Sequence, residues 1–264
     1  MTKKRGECNP NWDLRLERTP AEVAGVMVVH IPNLDDYYTD MLEVLDRSLS
    51  SWVDPQMERI VYLNGCCDEV KDLVRSHEPD MILESSYNVG AINALFQAVR
   101  FAQSEIIAYS DYDVLYKPGW LAPQLEILHN FPAAGMVSGN AAGWSAEHCN
   151  KSAKGLPGKW KDQDLEALRQ WAKSIKRRWE GVKERAKREK QWHTGSKIPA
   201  VVGAKHFQFI AYRSRLLEID PGFWPHAMRG HVKCLDEAMD EAGYQRLSVP
   251  VPVCWHMGNT LDNV

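Results

Sequence analysis

The sequence lacks several patterns that would assign a function at once. No G-x-G-x-x-G follows the first predicted strand, which disfavours a dinucleotide-binding fold, and no G-x-x-x-x-G-K-[ST] phosphate-binding loop is present. The six cysteines include no C-x-x-C pair, so we expect no zinc site. Their scatter favours reduced thiols, and no apolar run approaches the roughly 20 residues that span a bilayer. We therefore expect a cytoplasmic protein without a transmembrane segment.

The charge that the chain carries is unevenly distributed. The formal net charge is −3, yet residues 151–197 carry a net charge of +9 and the remainder a net charge of −12. Such asymmetry indicates that one segment meets a polyanion. An apolar stripe over residues 161–190 predicts one helix, roughly 45 Å long and bent at Gly181. We therefore interpret 151–197 as a basic helical insert and 1–22 as an N-terminal arm of one domain that spans the chain.

Apolar runs alternate with helical periodicity through the first half of the chain. The predicted strands cover residues 23–31, 58–63, 81–83 and 105–109. The predicted helices cover residues 35–52, 68–76 and 88–103. This alternation favours βαβ units and a parallel sheet, and hence an α/β fold. A last strand is predicted over residues 247–254.

The fourth predicted strand ends in two carboxylates, Asp111 and Asp113. Ligands of open α/β sheets bind beyond the carboxyl ends of the strands, and residues i and i+2 of an extended segment face the same way. Carboxylate oxygens suit Mg²⁺ or Mn²⁺, which leave coordination positions open for phosphate oxygens. The pair therefore predicts a divalent cation site, with a solvated acidic turn as the alternative.

Several segments, in this order, resemble the family 2 glycosyltransferases. They are residues 26–32, Asn64-Gly65-Cys66-Cys67-Asp68, Asn88-Val89-Gly90, Ser110-Asp111-Tyr112-Asp113 with Gly119-Trp120-Leu121, Leu235-Asp236-Glu237, and Trp255-His256-Met257-Gly258-Asn259. The resemblance covers about residues 25–145 and 203–260 and leaves out the basic insert. It implies a GT-A fold, which is a Rossmann-like central sheet of the nucleotide-diphospho-sugar transferase type.

The resemblance also implies a reaction and a site. The reaction is metal-dependent transfer of a sugar from a nucleoside-diphosphate sugar, preferably a UDP-sugar, to an acceptor hydroxyl, as in hexosyltransferases. The implied ligands of Mn²⁺ or Mg²⁺ are Asp113, Asp111 and His256. The implied nucleotide-sugar-binding residues are Pro32, Asp68, Asn88, Gly90, Asp111 and Tyr112.

The catalytic base that the resemblance implies is Asp236, with Glu237 in reserve. A positioned carboxylate can take the proton of the attacking hydroxyl. The acidic pair of the family lies further upstream, nearer His231 and Val232 of this chain, so the base and the choice between inversion and retention both stay open.

The basic insert interleaves cationic and tryptophan side chains, and we predict that Lys176, Arg177, Arg178 and Trp179 bind the acceptor. Basic groups neutralise phosphates and aromatic rings stack on bases. One hypothesis is therefore a nucleic-acid acceptor, such as a hydroxymethylated DNA base flipped out of the duplex. The alternatives are a solvated cationic helix face, peripheral contact with an anionic membrane that carries a lipid-linked acceptor, and a carbohydrate acceptor.

Two other classes compete with a glycosyltransferase. A nucleotidyltransferase would require a Gly-rich, basic loop after the first strand, whereas the chain has Pro32-Asn33-Leu34-Asp35-Asp36 there. A non-enzymatic nucleic-acid-binding module built on the insert would leave Asp111, Asp113 and His256 without a role.

Overall fold

The structure is a computed structural model of the chain. It describes residues 21–35, 40–55, 57–140, 156–174, 176, 178–188, 190–224 and 231–261. Most of the predicted N-terminal arm, the first part of the insert and Arg177 lie outside these residues.

The described residues form strands and helices in alternating order. The strands are β1 (Val23–Val29), β2 (Met57–Asn64), β3 (Met81–Ser85), β4 (Ile106–Asp111), β5 (Val114–Tyr116), β6 (Ala134–Ser138), β7 (Gly158–Lys161), β8 (Gln191–Thr194), β9 (Val201–Val202), β10 (Gln208–Tyr212), β11 (Gln245–Ser248) and β12 (Cys254–His256). The helices are α1 (Met41–Trp52), α2 (Asp68–Ser76), α3 (Ala91–Phe101), α4 (Leu121–Asn130), α5 (Leu165–Ser174), α6 (Trp179–Arg188), α7 (Arg213–Glu218) and α8 (His231–Glu241).

Ten of the strands form one sheet in the order β3-β2-β1-β4-β10-β6-β11-β9-β8-β7. The first four predicted strands pair in parallel, which confirms the predicted parallel sheet, and β10 then runs antiparallel to β4. The carboxyl ends of β1 to β4 therefore meet at one edge of the sheet. Ligands of open α/β sheets bind at such an edge.

Helices cover both faces of this sheet. Strand β1 alternates between them: Val23 and Met27 pack in the cluster that contains α1, α2 and α4, whereas Ala24 and Val26 pack in the cluster that contains α3, α7 and α8. Every residue of β1 is buried. A strand that is covered on both faces has a continuous run of apolar residues in its sequence. Such a run predicted β1.

The prediction of one long helix in the insert is wrong. The chain forms two helices, α5 and α6, and Lys176 between them has φ +58°, which a right-handed helix cannot contain. The apolar stripe folds back on itself, so that Trp171 of α5 packs in one cluster with Val182 and Ala186 of α6. Gly181 lies within α6 and not at a bend. In the hairpin the two halves of the stripe bury each other, which a single straight helix cannot do.

The insert also contains two strands, in addition to its helices. Strands β7 and β8 pair antiparallel, and β8 joins the main sheet through β9. The single last strand predicted over residues 247–254 is wrong as well, because two short strands replace it. Strand β11 belongs to the main sheet, whereas β12 pairs with β5 in a separate two-stranded sheet.

Among the described helices, none combines the length and the hydropathy that a bilayer crossing requires.

Candidate active site

Two short elements bring three predicted metal ligands together. Asp111 is the last residue of β4, and Asp113 lies in the turn that leads into β5. Because β12 pairs antiparallel with β5, His256 lies opposite Val114, beside that turn. The ligand atoms of Asp111, Asp113 and His256 all lie within 4.8 Å of one another. The pairing of β12 with β5 thus places His256 beside Asp111 and Asp113.

The segment that follows β12 holds Asp113 in place. Its Oδ1 lies 3.1 Å from His256 Nε2, and its Oδ2 accepts a hydrogen bond from the backbone N–H of Asn259 at 3.1 Å. Its carbonyl oxygen accepts from the N–H of Met257 at 2.8 Å. Gly258, between these donors, has φ +75°, a conformation that glycine adopts without steric cost. Asp113 is therefore a fixed, buried carboxylate.

The pKa values of this cluster are shifted by burial and by mutual charge. Burial raises the pKa of Asp111 to about 7, and the charge of Asp113 raises it too, against the opposing hydrogen bond from the Tyr109 hydroxyl at 2.6 Å. Burial lowers the pKa of His256, but the hydrogen bond and charge of Asp113 outweigh it, so the pKa is raised overall.

The donor set fits Mn²⁺ or Mg²⁺. Two carboxylates and an imidazole are ligands that Mn²⁺ accepts, and carboxylates alone suit Mg²⁺. The raised pKa of Asp111 shows that its ionised form is costly next to Asp113. A divalent cation would offset that cost by stabilising both ionised carboxylates.

The residues predicted to bind the nucleotide sugar lie along the same sheet edge. Pro32 follows β1, Asp68 opens α2 after β2, and Asn88 and Gly90 follow β3. Tyr112 lies half-buried in the turn between Asp111 and Asp113. The Asp68 carboxylate is largely exposed, 3.4 Å from Lys71 Nζ. The structure thus places each of them after a strand at this edge, where Pro32 and Asp68 are exposed.

Two neighbouring side chains that the sequence analysis missed hold Asn88. His30 Nε2 lies 3.1 Å from Asn88 Nδ2, and Asn64 Nδ2 donates to Asn88 Oδ1 at 3.0 Å. That oxygen also accepts from the N–H of Gly90 at 2.7 Å. His30 and Asn64 stand at the ends of β1 and β2, and a polar residue closing each apolar run was the available signal. The amide of Asn88 therefore has a fixed orientation.

Asp236, the predicted base, lies buried on α8 in a network of charges. Its Oδ2 is 2.6 Å from Arg246 Nη1, and its Oδ1 is 3.3 Å from His206 Nδ1. Arg246 is buried too and also binds Asp240 at 3.1 Å. Burial raises the pKa of Asp236 to about 7, although the Arg246 guanidinium opposes this shift. Glu237, the reserve, is only half-buried.

Of the predicted acceptor-binding residues, the structure describes Lys176 and Arg178 between α5 and α6, and Trp179 at the start of α6. Lys176 and Arg178 are exposed, whereas Trp179 is half-buried against the cluster of the helical hairpin. That cluster reaches β12, the strand that carries His256, since the ring of Trp171 meets the ring of Trp255 edge-on at 5.7 Å between centroids. The insert therefore contacts the residue that precedes His256.

Comparisons with known proteins show to which fold this arrangement of strands and helices is similar. Residues 29–145 match the model of glycosyl transferase family 2. Solved glycosyltransferases share the fold over most of the chain. This chain has a GT-A glycosyltransferase fold that resembles family 2. No curated protein sequence matches the chain.

Three GT-A structures illustrate the likeness. A mannosyltransferase from Pyrobaculum calidifontis, solved with GDP-Man and Mn²⁺, is 18% identical with a TM-score of 0.50, over 89% of this chain and 56% of its own. Glucosyl-3-phosphoglycerate synthase from Mycobacterium tuberculosis, with Mn²⁺, UDP and phosphoglyceric acid, is 14% identical with a TM-score of 0.51, over 92% and 72%. GalNAc-T7 with UDP, GalNAc and Mn²⁺ is 12% identical with a TM-score of 0.54, over 92% and 44%.

The GT-A likeness is thus one of fold, and the chain spans little more than half the length of the mannosyltransferase. The family 2 match contains the two aspartates of the cluster and stops short of His256 and Asp236. All three solved neighbours were complexes with Mn²⁺ and a nucleotide or nucleotide sugar, and another structure of the synthase contains Mg²⁺ with UDP.

Proposed function

We propose that this chain is a Mn²⁺- or Mg²⁺-dependent glycosyltransferase that moves a sugar from a UDP-sugar to an acceptor hydroxyl. The observation that carries the proposal is the convergence of Asp111, Asp113 and His256 at the carboxyl-terminal edge of a parallel sheet. This is where α/β folds bind ligands, and the ligand set suits a cation that binds phosphate oxygens.

The chemistry follows from the leaving group. When bound, a divalent cation supplies electrostatic stabilisation to the negative charge that grows on the diphosphate as the bond to the anomeric carbon breaks. Asp113 and His256 would hold it directly, and Asp111 would meet it or the ribose. Pro32, Asp68, Asn88, Gly90 and Tyr112 would hold the nucleotide sugar.

Asp236 and Glu237 belong to the acceptor side of this proposal. The acceptor hydroxyl must lose its proton as it attacks, and a group near the cluster has to receive that proton. Phe207 lies between the Asp-Asp-His cluster and Asp236. Its carbonyl oxygen accepts a hydrogen bond from the N–H of Asp111, and its neighbour His206 contacts Asp236.

The acceptor that we propose is nucleic acid, held by the basic insert. The exposed Lys176 and Arg178 suit phosphate contacts, and Trp160 on β7 is 44% exposed between two lysines. Trp179 would add to this surface, and we propose that Arg177, which lies outside the described residues, binds the acceptor as well. We place the reaction in the cytoplasm, which the free thiols of Cys66, Cys67, Cys234 and Cys254 favour.

A donor screen tests the proposal. The chain is incubated with UDP-, GDP- and TDP-sugars and Mn²⁺, with EDTA as the control, and release of the nucleoside diphosphate is measured. We expect UDP release that EDTA abolishes. Running each donor with a hydroxymethylated DNA duplex, an unmodified duplex and anionic vesicles that carry a polyprenyl phosphate identifies the acceptor class.

The outcomes separate the parts of the proposal. Stimulation by the hydroxymethylated duplex alone supports the DNA acceptor, whereas stimulation by the vesicles alone replaces it with a lipid-linked one. Release of GDP or TDP would overturn only the choice of donor. No metal-dependent release from any donor, and no stabilisation of the fold by UDP with Mn²⁺, would refute the glycosyltransferase.

A further inference from the structure

The segment that follows β12 wraps around Asp113 and is held at two points. The N–H of Met257 donates to the carbonyl oxygen of Asp113, and the N–H of Asn259 donates to its Oδ2 at 3.1 Å. Further along, the N–H of Leu261 donates to Oδ2 of Asp40, just before α1, at 2.5 Å. Asn259 therefore lies between two fixed backbone contacts, and its side chain begins beside the Asp113 carboxylate.

The backbone of Asn259 is left-handed, with φ +64°, directly after Gly258 at φ +75°. Asparagine is one of the few residues other than glycine that adopt this conformation. Glycine would meet the same backbone requirement without steric cost. The path of the chain therefore does not by itself require a side chain at position 259, and the amide group needs a reason of its own.

The side-chain oxygen of Asn259 is buried, and none of the described residues donates a hydrogen bond to it. Buried acceptors of this kind are rare in folded proteins, and an ion is one of the partners that account for them. A cation approaches a ligand oxygen to about 2.1 Å, whereas a water molecule stays at about 2.8 Å. A bare cation therefore fits against an oxygen that solvent does not reach.

The chemistry of an amide oxygen suits the neighbouring cluster. Side-chain amide oxygens are among the ligands that hard divalent cations bind in proteins. Asp111, Asp113 and His256 offer three ligand atoms within 4.8 Å of one another. A cation that prefers octahedral coordination has positions left for a further protein oxygen and for phosphate oxygens.

We propose that Oδ1 of Asn259 is a fourth protein ligand of the cation that Asp111, Asp113 and His256 hold. This inference rests on the cation site of the proposed function and adds one residue to it. The cation gives the buried amide oxygen the partner that the described residues do not supply. Asn259 thus has two contacts in the site, because its backbone N–H holds Asp113 and its side chain binds the ion.

The test titrates Mn²⁺ alone into the full chain and its variants by calorimetry at pH 8, and measures the melting temperature in EDTA. Asn259→Gly removes the side chain and keeps a residue that adopts φ +64° freely. Asn259→Asp keeps the shape and replaces the amide with a carboxylate. Asn130→Gly is the matched control, since Asn130 is an exposed asparagine at the end of α4, at the opposite edge of the sheet from the cluster.

We expect Asn259→Gly to weaken Mn²⁺ binding by about tenfold or more, as loss of a group that holds a metal or its ligands does. Its melting temperature in EDTA should stay within about 3 °C of the wild type, because the side chain that is lost has an oxygen without a partner in the absence of the ion. Asn130→Gly should match the wild type in Mn²⁺ affinity.

Asn259→Asp should have the opposite effects. A carboxylate is a stronger ligand than an amide, so Mn²⁺ affinity should rise by about tenfold. The melting temperature in EDTA should fall, because a third negative charge joins Asp111 and Asp113. A side chain that serves only the fold would not raise the affinity for the ion while it lowers stability without the ion.

Equal Mn²⁺ affinity in Asn259→Gly and the wild type would overturn the assignment of Asn259. If Asn259→Gly failed to fold, Asn259→Asp would decide: tighter binding of Mn²⁺ supports the assignment, and unchanged or weaker binding overturns it. A wild-type chain that binds no Mn²⁺ would refute the cation site and the proposed function with it. Failure of the ligand and failure of the function are therefore distinguishable.

Discussion

Asp113 is the residue on which most contacts of the site converge. Its carboxylate faces His256 and Asn259, and its backbone carbonyl accepts from Met257. The Asp-x-Asp pattern alone did not distinguish a metal ligand from a solvated turn. The structure shows a buried carboxylate whose position is fixed by three contacts, which a solvated turn would not have.

We predict that Asp113→Asn lowers the transfer rate by about 100-fold or more, because several kcal/mol of charge stabilisation depend on the cation. The amide keeps the size of the side chain, so the fold should persist. The stabilisation by UDP with Mn²⁺, measured as a shift in melting temperature, should disappear. Asp72→Asn on α2, where the aspartate is exposed, is the control and should behave like the wild type. Full turnover in Asp113→Asn would contradict the ligand assignment.

The affinity of the cluster for Mn²⁺ should depend on pH in a direction set by Asp111. Its pKa of about 7 in the folded chain lies above the ordinary 3.8, so below pH 7 the carboxyl carries a proton that Mn²⁺ must displace. The raised pKa of His256 acts in the same direction. We expect the affinity to fall by about tenfold or more per pH unit below 7 and to level off above it.

Calorimetric titration of Mn²⁺ into the full chain between pH 5.5 and 8.5 measures this dependence. Asp111→Asn is the matched variant, since it removes one of the two titrating ligands and should make the profile less steep, with the remaining dependence due to His256. An affinity that is equal at pH 6 and pH 8 in the wild type would show that the cluster does not exchange protons for the metal.

Among the elements, the helical hairpin of α5 and α6 matters most, because it packs on the strand that carries His256. Trp171 is buried and meets Trp255 edge-on. Periodicity predicted most of the buried apolar residues of this segment, although Leu165 of the predicted stripe is 38% exposed, and it did not predict the shape of the segment. The same spacing of apolar residues occurs in one long helix and in two shorter helices. Which of the two forms depends on the surface against which the stripe packs.

Two tryptophan variants of the insert should separate packing from acceptor binding. Trp171→Ala should lower the free energy of unfolding by about 3 kcal/mol, as loss of a buried ring does, and should weaken UDP–Mn²⁺ binding through β12. Trp160→Ala removes a ring that is 44% exposed and should cost under about 1 kcal/mol of stability while weakening DNA binding.

Denaturant unfolding and a DNA-binding titration, both with the full chain, measure these effects. If Trp171→Ala left stability and UDP–Mn²⁺ binding unchanged, the insert would be independent of the strand that carries His256. If Trp160→Ala had no effect on DNA binding, the exposed ring would not be a stacking surface.

At the scale of the whole molecule, the separation of charge is the main feature. The insert, with its net charge of +9, joins the sheet of a body with a net charge of −12. Such a distribution directs a polyanion to one side of the molecule and repels it from the other. A phosphate-bearing acceptor would therefore meet the insert first.

Charge reversal in the insert should weaken DNA binding without affecting the donor site. Lys176→Glu with Arg178→Glu should reduce affinity for a DNA duplex by about tenfold at 0.1 M salt and lower the salt slope by about 2. The control is Arg47→Glu with Arg75→Glu, an equal change of charge on α1 and α2, which should have a smaller effect. Fluorescence anisotropy over a series of salt concentrations measures both, and equal losses in the two double variants would indicate non-specific attraction.

The sequence by itself determined the parallel core and the edge at which its strands end, where we propose the site. Continuous apolar runs predicted β1 to β4, since strands covered on both faces bury every residue, and the polar residues that close them mark the carboxyl ends. Asp111 and Asp113 were identified in this way, because their placement depends only on the strand that precedes them. His256 was identified through the resemblance to a family, and not through local pattern.

Only the tertiary structure decided which distant residues share the site. The pairing of β12 with β5 brings His256 to Asp113, the packing of α8 against β11 joins Asp236 to Arg246, and the segment that enters β10 brings His206 next to Asp236. Local periodicity has no information on such pairs, because they depend on the register between strands that are far apart in the chain. Tertiary packing also explains the shape of the insert. Its apolar stripe is divided between two helices that pack against each other, and local periodicity does not encode this contact.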